Sequence, residues 1–243
     1  STNGRVITVF STKGGAGKTT AVVIVACELA RMGFSVAILD ADPQLWISKW
    51  HERLAERAPA SLSVVPYVTA ANLGQHARKL RGEVDFLLID LPGARSPLLA
   101  QALGYSNYVL IPVQGSAMDA EGATNVIELL QYLEDRADIR IPHSVVLTRV
   151  NPMVTTRALQ SVKELLSSRR VHVMSTPIIE RAAYREVFGY GQTLYSIDPG
   201  TVSNLDKAQQ NAQALAQEVL RRILPYSGRV GEQLKAEGFR LSA

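Results

Sequence analysis

Short apolar runs rich in β-branched residues alternate along the chain with longer segments in which apolar positions recur every three or four residues. Runs that are apolar throughout are typical of strands buried on both faces, and the three-to-four spacing is typical of amphipathic helices. The pattern predicts strands over residues 6–10, 35–40, 63–67, 84–90, 108–113, 144–148 and 171–174. It predicts helices over residues 21–32, 43–57, 69–81, 119–135, 155–168 and 202–224. The expected fold class is α/β, a mostly parallel twisted sheet with helices on both faces. We expect a single domain over residues 1–224 and a tail over residues 225–243.

A glycine-rich loop between the first strand and the first helix carries the strongest chemical signal. Residues 13–20 read KGGAGKTT. Glycines let backbone N–H groups converge on an oxyanion, and the helix N-terminus adds its dipole, so the loop predicts a P-loop NTPase. Lys18 would bridge the β- and γ-phosphates, and the Thr19 hydroxyl would bind Mg²⁺. The residues expected to hold the nucleotide phosphates are Gly14, Gly15, Ala16, Gly17, Lys18, Thr19 and Thr20. The alternative is an ordinary strand-to-helix turn with incidental lysines.

Acidic residues end two later strands. Asp40 and Asp42 follow the second strand in the segment DADPQ, and Asp90 ends the apolar run over residues 84–90. Ligands of open parallel sheets lie beyond the carboxyl ends of the strands, so these carboxylates are expected beside the glycine-rich loop. Thr19, Asp40 and Asp90 are the candidate Mg²⁺ site, with Asp90 acting through a water. The Asp40–Gln44 segment is also compatible with an Asx-type turn that caps the next helix.

Composition excludes several classes of protein. The chain of 243 residues has 47% hydrophobic and 20% charged residues, as is ordinary for a globular domain. Its one cysteine, Cys27, excludes an internal disulfide and any cluster that needs two cysteines per subunit, and it favours a cytoplasmic location. The four histidines show no metal-ligand spacing, and no apolar run is long enough for a membrane span.

Positive charge is concentrated in the second half of the chain. Residues 1–135 contain 11 Lys and Arg against 13 Asp and Glu, whereas residues 136–243 contain 15 against 9. This asymmetry favours a basic face for a polyanion, and the alternative is a set of solvated, arginine-rich helix surfaces. The candidate residues for DNA are Arg149, Arg157, Lys163, Arg169, Arg170, Arg181, Arg185, Arg221 and Arg222.

The loop, the DADPQ segment and the strand that ends in Asp90 resemble, in type and order, the motifs of the ParA/MinD superfamily of deviant Walker-type ATPases. A strict phosphate loop has glycine where this chain has Thr12. The stretch over residues 177–192 adds a similarity to short ParA proteins of plasmid partition and to the related ATPase of T-DNA transfer. The resemblance covers roughly residues 5–224 and is strongest over residues 5–45.

This resemblance implies a cytoplasmic, nucleoid-associated ATP hydrolase with ATP and Mg²⁺ as cofactors. It implies catalytic roles for Lys18 in cis, for Lys13 across the interface of an ATP-bound homodimer, and for Asp42 in positioning the attacking water. Asp40 would couple the metal to a switch segment, with residues 91–96 sensing the γ-phosphate. The residues implied to flank the adenine are Asn151, Pro177 and Ile178.

The resemblance further implies that the ATP-bound dimer binds nonspecific DNA through phosphate contacts. A centromere-binding or adaptor protein would stimulate the slow hydrolysis that releases the DNA. Two alternatives stay open: a MinD-like positioning ATPase on the membrane, for which the tail offers only a thin apolar face, and an ATP-dependent metabolic ligase on the same fold. Filament formation and the identity of the cargo are also left open.

Overall fold

The computed structural model of the protein describes residues 4–224 except positions 12, 93–96, 116, 139, 152, 154 and 155. The predicted tail over residues 225–243 and most of the predicted γ-phosphate-sensing segment therefore lie outside the described residues. No helix in the described part of the chain is long and apolar enough to cross a membrane.

A parallel sheet forms the centre of the molecule. Its strands are β1 (Arg5–Val9), β2 (Val36–Asp40), β3 (Leu62–Val65), β4 (Phe86–Asp90), β5 (Tyr108–Gln114) and β6 (His143–Thr148). They lie in the order β3-β2-β4-β1-β5-β6, and each neighbouring pair is parallel. Strands β2 and β4 are buried along their whole length, which is why they are apolar up to their final aspartates rather than alternating. The predicted parallel sheet is confirmed.

Helices cover both faces of the sheet. They are α1 (Lys18–Arg31), α2 (Trp46–Leu54), α3 (Leu73–Leu80), α4 (Pro97–Leu103), α5 (Ala117–Ala137), α6 (Arg157–Ser168), α7 (Ala182–Gly189) and α8 (Leu205–Ile223). The core on one face contains α1, α2, α7 and α8, and the core on the other face contains α3, α4, α5 and α6. The pattern of apolar positions did not predict α4 and α7, which are seven and eight residues long.

Beyond β6, residues 172–180 lie along the edge of the sheet, and we call them the edge segment. A strand was predicted over residues 171–174, but the edge segment forms isolated bridges, Val145 with Val173 and Val150 with Ile179, rather than a continuous strand. Side chains of α8 bind its outer side. Glu218 accepts hydrogen bonds from the N–H groups of Ser175 and Thr176 at 2.7 and 2.8 Å.

Asn211 makes a second attachment between α8 and the edge segment. Its side-chain oxygen accepts from the N–H of Ile179 at 3.1 Å, and its amide nitrogen donates to the carbonyl of Pro177 at 2.8 Å. Two side chains of α8 thus bind backbone groups that a further strand would otherwise bind.

Candidate active site

The carboxyl ends of three adjacent strands form the centre of the candidate site. Val9 of β1 is in register with Asp90 of β4, and Asp90 is in register with Asp40 of β2. The loop over residues 13–17 (the phosphate loop) follows β1 and leads directly into α1. The strand order therefore brings the loop and both acidic strand ends to one edge of the sheet, as the sequence predicts.

The conformation of the phosphate loop depends on glycine. Gly15 and Gly17 have φ of +79° and +83°, in the left-handed region that side chains rarely adopt. A Cβ atom on Gly17 would also lie 3.2 Å from the Cβ and Cγ2 atoms of Thr148. These two glycines let the loop turn sharply while it stays packed against the end of β6.

Side chains from β5 and β6 anchor the carbonyl groups of the loop. Gln114 donates from Nε2 to the carbonyl of Gly15 at 2.6 Å, and the Thr148 hydroxyl donates to the carbonyl of Ala16 at 2.7 Å. Because N–H and C=O point in opposite directions across a trans peptide, the N–H groups of the next residues face away from these strands. The N-terminus of α1 has no side-chain cap, so its first N–H groups remain available to an anion.

Lys18 forms ion pairs with two carboxylates. Its Nζ atom lies 2.5 Å from Oδ1 of Asp90 and 3.4 Å from Oδ2 of Asp42. The Thr19 hydroxyl donates to Oδ2 of Asp90 at 3.5 Å. The structure therefore brings together four of the predicted site residues, with the buried ammonium group of Lys18 at the centre: Lys18, Thr19, Asp42 and Asp90.

Burial dominates the titration of Asp90, whose side chain is only 1% exposed. Desolvation raises the pKa of this carboxyl from 3.8 to about 6, and the negative charges of Asp40 and Asp42 also raise it. The attraction to Lys18 lowers the pKa but does not cancel the effect of burial. The site thus holds a carboxylate whose charge is poorly stabilised by its surroundings.

Oxygen atoms that fit Mg²⁺ are present beside the phosphate loop. In the described residues no group of three or more His, Cys, Asp or Glu side chains is arranged to hold a metal by itself. Mg²⁺ in nucleotide sites usually takes one or two carboxylates and completes its shell with water and substrate phosphates. The adjacent Thr19 hydroxyl and Asp90 carboxylate fit that kind of site.

Asp40, the third predicted metal residue, is engaged elsewhere. Its Oδ2 atom accepts hydrogen bonds from the N–H and the hydroxyl of Ser48 at 2.9 and 2.6 Å, and its Oδ1 atom accepts from the N–H of Asp42 at 3.3 Å. Asp42 in turn accepts from the N–H of Gln44 at 2.9 Å, which forms the Asx-type turn compatible with the sequence. Asp40 therefore ties the end of β2 to α2, and the importance of Ser48 was not evident from any motif.

Two open cavities flank the phosphate loop. One, of about 460 Å³, is lined by loop residues including Lys13 and Lys18 and by Asp42 and Trp46. The other, of about 450 Å³, is lined by Gly17, Thr20, Ile178, Tyr184 and Phe188 among others. The first surrounds the loop's charged groups, and the second has a volume in the range of small-molecule sites.

The residues predicted to flank the adenine are not together. Ile178 lines the cavity of about 450 Å³, whereas Asn151 lines a separate cavity of about 230 Å³ on the other side of Arg149. The Asn151 side chain accepts from the N–H of Met153 at 2.9 Å, and Pro177 lines none of these cavities. Tyr184 and Phe188 of α7 were missed because the helix that carries them was not predicted.

The nine basic residues predicted for DNA occupy three places. Three line the cavities beside the phosphate loop: Arg149, Arg181 and Arg185. Two are exposed on α6: Arg157 and Lys163. The remaining four are exposed at the end of the molecule opposite the phosphate loop, where α6 and α8 both finish: Arg169, Arg170, Arg221 and Arg222. We call these four residues the arginine end.

Two contacts are present at the arginine end. Arg222 hydrogen-bonds Nε2 of His172, which follows Arg170 by two residues. Arg169 lies 3.7 Å from Glu128 of α5, and both side chains are about half exposed, so the pair leaves Arg169 accessible to a polyanion. The predicted basic face is thus divided between the phosphate loop and the far end of the molecule.

Comparison with known proteins places the chain in a family. The model of the family described as VirC1 protein matches residues 4–224. The protein named ParA of Rhizobium radiobacter is 30% identical over 218 residues, which cover 90% of this chain and 97% of that protein. The chromosome-partitioning ATPase Soj of Thermus thermophilus is 26% identical over 245 residues, covering 90% of this chain and 96% of its own length.

A solved structure shares the fold. The septum site-determining protein MinD of Pyrococcus horikoshii, complexed with Mg-ADP, superimposes with a TM-score of 0.63 at 20% identity, over 88% of this chain and 95% of that one. The predicted resemblance is confirmed: the chain belongs to the VirC1 family, within the ParA/MinD superfamily of P-loop ATPases.

Proposed function

We propose that this chain is a Mg²⁺-dependent ATPase of DNA partition or segregation. It forms a homodimer with ATP, binds nonspecific DNA in that state, and releases the DNA when slow, partner-stimulated hydrolysis removes ATP. The observation that carries the proposal is the cluster of Lys18, Thr19, Asp42 and Asp90 around a glycine-shaped phosphate loop. Family membership supports a partition-type ATPase, and the remaining steps are inferred from the chemistry of the site.

Nucleotide binding follows from a competition for Lys18. In the structure its ammonium group is paired with Asp90 and Asp42. A polyphosphate in the cradle of loop N–H groups offers Lys18 a more highly charged partner, while Thr19 and Asp90 are placed to hold Mg²⁺. Bound Mg²⁺ would neutralise charge on the β- and γ-phosphates.

Hydrolysis needs a group that orients water toward the γ-phosphate. The Asp42 side chain is 17% exposed and lines the same cavity as Lys18. Asp42 is the one carboxylate among the described residues that line this cavity, which supports a slow intrinsic rate. Slow turnover suits a switch whose ATP state has to last until a partner protein acts.

Dimerisation would complete the site. Lys13 is exposed and lines the cavity that contains Lys18, so its side chain is accessible to a second subunit. A cation added across an interface would stabilise charge on the transferring phosphoryl group. ATP can drive dimerisation only if it binds the dimer more tightly than the monomer, as contacts from both subunits would ensure.

DNA binding is assigned to the arginine end rather than to all nine basic residues. Its four arginines are exposed on two helices that finish at the same end of the molecule. Exposed guanidinium groups bind backbone phosphates without reading bases, so affinity should fall steeply with salt. We infer a cytoplasmic protein that associates with the nucleoid and meets a centromere-binding or adaptor partner there.

The deciding experiment measures binding to nonspecific duplex DNA with ATP, with ADP and without nucleotide, across a salt series. We expect binding only with ATP, and none by Lys18→Ala in any state. In the double variant Arg169→Ala, Arg170→Ala, the slope of log affinity against log salt should become shallower by about 2, since each lost phosphate contact removes about 0.9.

Arg57→Ala is the matched control, because Arg57 is exposed beside β3 at the opposite edge of the sheet. Wild-type protein that binds DNA equally in all nucleotide states would contradict the ATP-dependent switch. Absence of DNA binding in every state, with ATP-dependent binding to anionic liposomes, would favour the MinD-like alternative.

A further inference from the structure

Arg149 occupies a position fixed by the phosphate loop. It follows Thr148, the last residue of β6, whose hydroxyl donates to the Ala16 carbonyl of the loop at 2.7 Å. The Nη2 atom of Arg149 lies 4.0 Å from the place that a Cβ atom on Gly15 would occupy. The guanidinium group therefore lies against the phosphate loop.

Arg149 also borders all three cavities of the site. It lines the cavity of about 460 Å³ that contains Lys13 and Lys18, the cavity of about 450 Å³ that contains Ile178, and the cavity of about 230 Å³ that contains Asn151. A molecule that spans the cavities of about 460 and 450 Å³ would lie beside this side chain.

The guanidinium group has no anionic partner among the residues that the structure describes. Among residues 4–224, as far as the structure describes them, no hydrogen bond or ion pair of Arg149 is present, whereas Lys18 pairs with two carboxylates. A guanidinium presents a fork of donors that matches phosphate oxygens, so an unpaired one beside an anion cradle is suited to a phosphorylated ligand.

The backbone at Arg149 is unfavourable for an arginine. Its φ is +51°, in the left-handed region that costs an L-residue about 1–2 kcal/mol. Such strain persists where the surroundings impose it and is common at ligand-binding positions. The strain and the unpaired charge together indicate that this residue acts on a ligand.

We propose that Arg149 contacts the polyphosphate chain of the nucleotide bound to its own subunit, as a third cationic group besides Lys13 and Lys18. The guanidinium group of Arg149 donates to phosphate oxygens from the side of the phosphate loop opposite Asp42 and Asp90. The inference rests on the proposed nucleotide-binding function, and it removes Arg149 from the set of residues that contact DNA.

The test is calorimetric titration of the full chain with Mg-ATP and, separately, with inorganic tripolyphosphate, in the absence of DNA. Arg149→Ala should lower the affinity for each ligand about tenfold, which corresponds to about 1.4 kcal/mol of binding free energy. Arg149→Gly should lower both affinities by the same factor as Arg149→Ala. It should be at least as stable as the wild type, because glycine adopts a φ of +51° without strain.

Arg140→Ala is the matched control, since Arg140 is an exposed arginine just before the opposite end of β6 and forms an ion pair with the exposed Glu134 at 3.1 Å. It should leave both affinities unchanged. Loss of ATP affinity with unchanged tripolyphosphate affinity would assign Arg149 to the base or ribose and overturn the proposal. Unchanged affinity for both ligands would overturn it while leaving the proposed ATPase intact, whereas wild-type protein that binds neither ligand would overturn both.

Discussion

The buried carboxyl of Asp90 makes the stability of the ligand-free protein depend on pH in a specific direction. Burial raises the pKa of Asp90 from 3.8 to about 6, so between these values the folded protein holds a proton that the unfolded chain has lost. Where the folded state binds more protons, stability falls as pH rises. Asp90 should therefore destabilise the ligand-free protein progressively as the pH rises from about 4 to about 6, and by a constant amount above pH 6.

The size of the effect follows from the pKa difference. One pKa unit corresponds to about 1.36 kcal/mol, so the full change is about 3 kcal/mol, of which about 2 kcal/mol falls between pH 4.5 and pH 7.5. Asp90→Asn mimics the protonated carboxyl and cannot titrate. The free energy of unfolding of the wild type should thus decrease relative to that of Asp90→Asn by about 2 kcal/mol across this range.

Urea unfolding of both proteins at several pH values between 4.5 and 7.5, without nucleotide or metal, measures this difference. All other titrating groups are common to both proteins, so they cancel unless they contact Asp90. In Lys18→Met the attraction that lowers the Asp90 pKa is lost, and the decrease should extend to higher pH. A wild-type minus Asp90→Asn difference that stays constant, or grows with pH, would refute the reasoning.

Three further outcomes are expected. Gly17→Ala should lower the free energy of unfolding by about 1–2 kcal/mol and weaken ATP binding, because φ is +83° and the new Cβ lies 3.2 Å from Thr148. A Cβ atom on Gly14 would meet nothing within 4 Å, so Gly14→Ala is the control. Equal destabilisation of Gly17→Ala and Gly14→Ala in urea unfolding would contradict the role given to Gly17. Asp42→Ala should reduce ATP hydrolysis about hundredfold and trap the ATP-bound dimer, as phosphate release and size-exclusion chromatography would show. Lys13→Ala should retain ATP affinity and lose ATP-dependent dimerisation, and a variant that still dimerises normally would remove its role across the interface.

The central strands and the phosphate loop could be predicted from the sequence because local physics determines them. Strands buried on both faces must be apolar throughout, and the loop's turn into α1 requires glycine at Gly15 and Gly17. Once a parallel sheet is predicted, Asp40 and Asp90 must end near the loop. What the sequence could not reveal is how each carboxylate is used: Asp40 binds Ser48, eight residues later on α2, and no spacing rule marks that pair.

The arginines illustrate a second limit. Charge counted along the chain treats Arg149 and Arg169 as one basic region, yet α6 runs the length of the sheet between them. One therefore lies at the phosphate loop and the other at the opposite end. The order of residues along a chain does not show which end of a sheet they reach until the direction of each helix is known.

The attachment of α8 to the edge segment has a consequence for how copies of this protein can associate. An exposed strand edge is a template on which another chain can add a strand, and proteins commonly block such edges. Here Glu218 and Asn211 bind the outward-facing backbone groups of Ser175, Thr176, Pro177 and Ile179. Strand addition at this edge would first have to break those four hydrogen bonds, so the attachment of α8 disfavours association of two copies through this edge of the sheet.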